Sequence, residues 1–324
     1  MASSTAATAV PSTLAQRLTQ IDWRRYIIYI AFVLIFIFFA IFLGQEGFLS
    51  GNNLVNIFRQ AATITVMAVA MTFVIACAEI DLSVGSVAGL SSVVTAMTIA
   101  TYGLIPGILA GLAVGVIIGG INGALVSTLG IPSFLVTLGM LGIAFGLAQW
   151  ITASAPQPIV DETYIQIFGG GDIGPIPGLL IWMAIAVVVG VVVLNRTKFG
   201  RQVLATGGNR QAAEYAGVKT KRMKFSVLLI SGVAAALAGM LYAGRLHSGR
   251  FQWGQGDEMS AIAAVILGGT SLFGGAGFVI GTLFGALLMS LINNGLILAG
   301  LDSSQQQVVR GIIIILAVAL ARKK

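Results

Sequence analysis

"EIDLSVGSVAGL" (79–90) interrupts an apolar chain with two carboxylates and two serines. "DEMSAIAAVILGG" (257–269) echoes it: paired acids, an apolar residue, a serine, then small and apolar residues. A second pair follows the first. "GVIIGGINGALVSTLGI" (115–131) resembles "GFVIGTLFGALLMSLINNG" (277–295). Internal similarity at an offset of about 160–180 residues points to a duplicated unit. Five apolar runs separate the copies, an odd number, so the halves are expected upside down relative to each other. Inverted repeats of this kind mark transporter folds, which can open a path to either side in turn.

The rest of the chain agrees with a membrane setting. It is 57% hydrophobic and 9% charged, against about 25% charged for a soluble domain. The runs 26–43, 54–78, 83–102, 104–128, 131–151, 177–194, 223–243, 259–272, 278–299 and 307–321 read as membrane spans. The expected fold is therefore an all-α polytopic membrane protein of about ten transmembrane helices. Arg24 and Arg25 precede the first run, and no small-x-small cleavage site follows it, so it reads as an uncleaved span. Residues 1–25 read as a cytoplasmic tail and 26–324 as one transmembrane domain, with an exterior loop at 152–176 and a cytoplasmic loop at 195–222. The short run 259–272 suits a broken or bundle-buried helix.

Charge sets the orientation. An even number of spans puts both termini on one side. With that side cytoplasmic, Arg17, Arg24, Arg25, Arg196, Lys198, Arg201, Arg210, Lys219, Lys221, Arg222, Lys224, Arg322, Lys323 and Lys324 lie inside. Only Arg59, Arg245, Arg250 and Arg310 of the 18 basic residues fall toward the exterior. Glu46, Asp161, Glu162, Asp172, Asp257, Glu258 and Asp302 lie outside, the reverse bias.

Several functions are excluded. The net charge of +7 follows from orientation, and no basic–aromatic interleaving suited to stacking bases is present, so no nucleic-acid partner is expected. Cys77 is the one cysteine and His247 the one histidine, which leaves no metal-ligand spacing and no nucleophile–His–carboxylate set. There is no Gly-x-x-x-x-Gly-Lys-Ser/Thr loop, so the chain is not itself an ATPase of that type and no cofactor is expected in it. Mid-span ionisable groups of the kind that couple ions are nearly absent. Glu79 and Asp81 admit two roles. Asp81 or Ser83 could cap the following helix, or the acids could contact a cation or substrate as a gate. The path suits a neutral solute and an external energy source. Asn122, Phe134, Asn293 and Asn294 are polar or aromatic groups in spans that could line it, although asparagines can equally serve helix backbones.

The polar stretch "ATGGNRQAAEYAGVKTKRMKF" (205–225) is the next puzzle. Positive-inside charge accounts for its cations. It does not account for a Gly-Gly-Asn start and a Gly stop. Asn209 can cap a helix that Gly217 ends in a left-handed conformation. The residues between them make about two turns, with Ala212 and Ala216 on one face and Tyr215 beside them. Such a helix is marginal alone in water and suited to a groove on a partner.

"EIDLSVGS", "TKFGRQVLATGGNRQAAEYAGV" (197–218) and "AVILGGTSLFGGAG" (264–277) together resemble the permease subunits of bacterial ABC sugar importers of the ribose type. The resemblance runs from about residue 50 to the end. The wider superfamily includes branched-chain amino-acid and nucleoside permeases. The resemblance implies a multi-pass inner-membrane subunit that works with a second permease subunit, a cytoplasmic ABC ATPase carrying ATP and Mg, and a periplasmic sugar-binding protein. It implies that Gly208, Asn209, Arg210, Gln211, Ala212, Ala213, Glu214, Tyr215, Ala216 and Gly217 form the coupling helix that docks on the ATPase. Where relatives often read Glu-Ala-Ala, this chain has Gln211-Ala212-Ala213, with Glu214 following. Alternatives are a permease for a branched-chain amino acid, nucleoside or polyol, and a stand-alone secondary carrier.

Overall fold

The structure, a computed structural model, describes residues 27–174 and 176–321. The expected tail 1–25, with Arg17, Arg24 and Arg25, and the terminal Arg322, Lys323 and Lys324 lie outside the described residues. The described chain is almost entirely helical. In order, the helices are α1 (Ile27–Phe42), α2 (Gly51–Ala76), α3 (Val84–Tyr102), α4 (Leu104–Thr128), α5 (Ser133–Ile151), the short α6 (Glu162–Ile165), α7 (Gly178–Arg196), α8 (Lys198–Gly208), α9 (Arg210–Tyr215), α10 (Thr220–Arg245), α11 (Asp257–Leu267), α12 (Val279–Leu298) and α13 (Ser303–Ala321). Two-residue strands β1 (Gln157–Pro158) and β4 (Ser248–Gly249) pair antiparallel, as do β2 (Asp172–Ile173) and β3 (Ile176–Pro177).

Among the described residues, seven helices are long and apolar enough to cross a membrane: α2, α3, α4, α5, α7, α10 and α12. The chain is an all-α polytopic membrane protein. Each expected span contains a helix, with boundaries shifted by a few residues. The largest shift is in the run 259–272, whose helix stops at Leu267. Gly269 takes φ +92 there, and the Thr270 N–H turns back to the Val265 carbonyl. This left-handed stop spends Gly269 on chain reversal.

Helix α2 ends in the same way, but with alanine in the left-handed position. Ala78 has φ 61, its N–H bonds to the Ile75 carbonyl, and the Glu79 N–H bonds to the Val74 carbonyl. Alanine there costs about 1–2 kcal/mol that glycine would not, so the surrounding packing holds the turn.

Glycine sets the helix spacing. Gly107, Gly111, Gly115, Gly119 and Gly123 recur every four residues and are all buried on one face of α4. Their partner along most of that face is α10. A Cβ on Gly119 would lie 2.8 Å from the Leu228 carbonyl oxygen, and one on Gly115 or Gly232 would run into the other's carbonyl. Ser91 of α3 ties the layer together through the carbonyls of Gly111 and Ala236, both at 3.0 Å. In lipid there is no hydrophobic drive between apolar helices, so close backbone approach and buried hydrogen bonds supply the association.

The Gly119–Gly120 pair separates these roles, because nothing lies within 4 Å of a Cβ added at Gly120. Gly119→Ala is expected to lower stability by about 1–3 kcal/mol through overpacking. Gly120→Ala is expected to be neutral or stabilising by up to about 1 kcal/mol through helix propensity. Thermal unfolding of the two purified variants in one detergent checks the difference.

Candidate functional site

Two helices begin inside the bundle rather than at its ends. Residues 77–83 run without helix from the end of α2. The Ile80 N–H donates to Ser133 Oγ and the Leu82 N–H to Thr137 Oγ1, both at 3.0 Å. These residues lie one turn apart on α5, so the strand-like segment climbs along that helix before α3 starts. From the opposite end, residues 249–256 descend antiparallel to α3. Gly249 packs on Ser92, the Phe251 carbonyl on Gly89, and Gly254 on Gly85. Helix α11 then begins at Asp257. The N-termini of α3 and α11 therefore meet in the interior, where a Cβ on Gly85 would run into the Glu258 carboxylate and the Gly254 carbonyl.

Acidic side chains serve both helix starts. Asp81 is fully buried, and its Oδ1 accepts from the Ser83 N–H at 2.9 Å and the Ser83 hydroxyl at 2.6 Å. Ser83 precedes the first residue of α3 but makes no capping bond of its own. Because its hydroxyl donates to Asp81, it accepts from Asn122 Nδ2 at 3.1 Å. The Ser231 hydroxyl on α10 faces the same carboxylate. Among the described residues, Asp81 Oδ2, Asn122 Oδ1 and Ser231 Oγ are buried without a partner. At α11, Asp257 accepts from the Tyr242 hydroxyl, and Glu258 Oε2 accepts from the Gly256 N–H at 3.1 Å. Glu79 stands apart from the helix start and forms an ion pair with Lys224 at the foot of α10.

The structure gathers only part of the expected path set. Asn122 joins Asp81 and Ser83. Asn294 instead exchanges two amide hydrogen bonds with Asn53 of α2, at 3.0 and 2.8 Å. Asn293 accepts from Arg310 Nε at 2.9 Å, which ties α12 to α13. Phe134 is exposed in the first turn of α5. Ser133, Thr137 and Ser231 were not singled out from the sequence, since a lone Ser or Thr in a span carries no pattern.

The stretch 208–217 folds as a capped helix. The Asn209 side chain accepts from the Ala212 N–H at 3.0 Å. At the far end Gly217 takes φ +82. Its N–H bonds to the Glu214 carbonyl, and the Val218 N–H bonds to the Ala213 carbonyl. The regular helix is six residues long, Arg210–Tyr215, with Ala216 as its C-cap. Ala213 turns inward, while Gln211, Ala212 and Ala216 are exposed and Tyr215 is 93% exposed. Glu214 accepts from the Thr220 hydroxyl at 2.6 Å and Arg210 Nε at 2.9 Å, and these two partners hold its carboxyl below the usual carboxylate range. The root of the helix is packed. Gly207 lies on the Ala76 carbonyl at the end of α2, and Gly208 lies against Gly275.

The loop expected on the exterior, 152–176, is pinned at several points. Asp161 caps α6 through the Tyr164 N–H at 2.8 Å, and the buried Tyr164 hydroxyl donates to the Met240 carbonyl at 2.9 Å. Tyr164, Phe168 and Trp182 stack in series. Arg59 pairs with Asp172 at 3.2 Å. Among the described residues, no three His, Cys, Asp or Glu groups converge as metal ligands.

Asp81→Ala is expected to strand the Ser83 N–H and hydroxyl in the interior, lowering stability by about 1–3 kcal/mol. Asp81→Asn keeps an acceptor oxygen and is expected to lose less than the alanine variant. Thermal unfolding of the purified variants checks the order.

Comparison with known proteins places this arrangement. A family model described as branched-chain amino acid transport system / permease component matches residues 53–318. The chain is 43% identical over 282 residues to the ribose import permease protein RbsC of Bacillus subtilis, covering 86% of this chain and 88% of that one. It is 39% identical over 303 residues to the fructose import permease protein FrcC of Rhizobium meliloti, covering 90% and 83%. It is 37% identical over 298 residues to the D-allose transport system permease protein AlsC of Escherichia coli, covering 91% of each. No solved structure matches the chain. With the family model spanning most of its length, the chain belongs to the permease-component family of branched-chain amino acid transport systems.

Proposed function

We propose that this chain is the membrane-spanning permease subunit of an ATP-driven importer of a neutral sugar. The observation that carries this reading is its similarity, over most of its length, to import permeases named for ribose, fructose and allose. Those names favour a sugar over the branched-chain amino acid of the family description. The permease domain is 26–324 with ten spans, both termini face the cytoplasm, and the subunit sits in the bacterial inner membrane. The halves on either side of the meeting point of α3 and α11 are inverted copies. This is supported by interrupted helices that enter from opposite ends, as in transporters built from inverted repeats.

The chain pairs with a second permease subunit, the same or similar. A periplasmic sugar-binding protein docks on the outer segments 152–176 and 244–258. ATP and Mg are bound by a separate cytoplasmic ATPase. Its motion enters through Gly208–Gly217, in the cytoplasmic loop 195–222. The packing of Gly207 and Gly208 on Ala76 and Gly275 favours this route, since the helix root touches the end of α2 and the turn that precedes α12. A motion at the root is thereby passed to the segment leading into α3. Asn122, with Asp81 and Ser83, lies at the meeting of the half-helices and is the part of the expected path set nearest a central gate. Phe134, Asn293 and Asn294 are proposed to contact the sugar only when the path is open.

Tyr215 is the anchor expected on this surface, because an exposed aromatic on a capped helix brings large contact area at low entropic cost. Tyr215→Ala is expected to weaken binding of the ATPase subunit by about tenfold or more. Ala212→Glu with Ala216→Glu is expected to abolish sugar-stimulated ATP hydrolysis by the assembled complex. Unchanged hydrolysis in the double variant overturns the docking role.

A further inference from the structure

A cavity of about 280 Å³ opens beside α9. Its walls are the last turn of α4, the α4–α5 corner (129–132), and the side chains of Glu79, Arg210, Lys221 and Lys224. It therefore joins the first residue of the coupling helix to the foot of α10 and to the segment that leads into α3. Three cations face one carboxylate. Glu79 is committed to Lys224. Arg210 shares Glu214 with Thr220 through its Nε. Lys221 is exposed and has no carboxylate partner among the described residues. The carbonyl end of α4 contributes roughly half a negative charge. Together with Glu79 and Glu214 this leaves a surplus of roughly half a positive charge in a walled site. Orientation across the membrane requires cations on this side, but it does not require them to converge on a cavity.

The coupling helix has no spare carboxylate to offer a partner. Glu214 is its one acid, and both of its neighbours, Arg210 and Thr220, are supplied by this chain. The residue that follows Arg210 on this helix is the uncharged Gln211. Any protein seated on Tyr215 and Ala212 would bring its own chain against Arg210 and the mouth of the cavity.

We propose that the ATPase partner inserts an acidic side chain, aspartate or glutamate, into this cavity. Arg210 and Lys221 receive it, so the permease carries the cations of the contact and the ATPase the carboxylates. This rests on the reading of α9 as the docking helix. The carboxylate makes charge-assisted hydrogen bonds in a partly enclosed site, where they are stronger than at an open surface. The site sets the register of docking and steers the approach of the two subunits. It also places a second acid next to Lys224. Docking thereby competes with Glu79 for that lysine and reaches the segment that precedes Asp81.

The test uses the full-length permease in nanodiscs of phosphatidylcholine alone, with binding of the purified ATPase subunit followed at low and high salt. Expected for the parent protein is an association rate that falls steeply with salt. Lys221→Gln is expected to lower affinity about tenfold at low salt and to flatten the salt dependence. Lys219→Gln removes the same charge outside the cavity and is expected to change affinity by much less. Equal effects of the two variants, or binding indifferent to salt, overturn the proposal. So does a cavity that selects anionic lipid instead: a Lys221-dependent retention of phosphatidylglycerol, with ATPase binding unaltered. The neutral variant Tyr215→Ala separates the two readings. If it leaves ATPase binding intact, the docking helix itself is wrong. If it weakens binding while Lys221→Gln does not, only the acidic contact is wrong.

Discussion

Two hydroxyls on α5, Ser133 Oγ and Thr137 Oγ1, accept the N–H groups of Ile80 and Leu82. A stretch of backbone that is neither helix nor sheet can exist inside a membrane protein only if each polar group finds a partner within the protein. These two bonds, with the Asp81 turn that holds Ser83, supply partners for the N–H groups of Ile80, Leu82 and Ser83 on one side of the bundle. On the other side, Ser92 performs the same service for residue 250, accepting its N–H at 3.2 Å while its own hydroxyl proton goes to the Gly89 carbonyl at 2.7 Å. Where those partners sit determines where α3 and α11 begin. Their position in turn brings Asn122, Ser231 and the two helix N-termini to one place.

The glycine faces make this geometry possible. Gly85 and Gly89 of α3 admit the backbone of 251–254 at a distance no side chain would tolerate. The four-residue glycine ladder of α4 lets α10 come near enough for Ser91 to reach carbonyls on two helices. Small residues here do the work that apolar side chains do in a water-soluble core, because lipid offers no penalty for exposed hydrocarbon. The same reasoning explains the many exposed Leu, Ile and Val side chains on α5 and α7, whose surroundings are apolar when the chain is in a bilayer.

The polar helix α9 obeys different rules. It lies outside the apolar bundle, and only Ala213 of its six residues is buried. Its order comes from local devices: the Asn209 cap, the Gly217 stop, and Glu214 bridging Arg210 and Thr220. A helix held by its own ends keeps its outer face available, with Tyr215 projecting from a root that is fixed to Ala76 and Gly275. Local capping thus gives a rigid lever from a segment too short to be stable alone.

The membrane class, the approximate limits of the long apolar helices, the capped helix at 209–217 and the acidic-serine echo were legible in the sequence. Each rests on local pattern: hydropathy over a span, cap residues at fixed offsets, or a repeated order of residue types. The stop of α11 at Leu267 was not legible, because Gly268–Gly269 inside an apolar run reads equally as close packing or as a turn. The partition of the four path residues was not legible either. Asn122 and Asn294 look alike in sequence, yet one joins Asp81 and Ser83 while the other pairs with Asn53, some 240 positions away. Glu79 and Asp81, two residues apart, likewise go to an ion pair and a helix start. Sequence alone located the long apolar helices and the capped helix at 209–217, because hydropathy and cap residues are local signals, but it did not show α8 (Lys198–Gly208) within the expected loop. Only the tertiary structure decided which polar groups share a partner, because in a membrane interior that choice depends on which backbones glycine allows to approach.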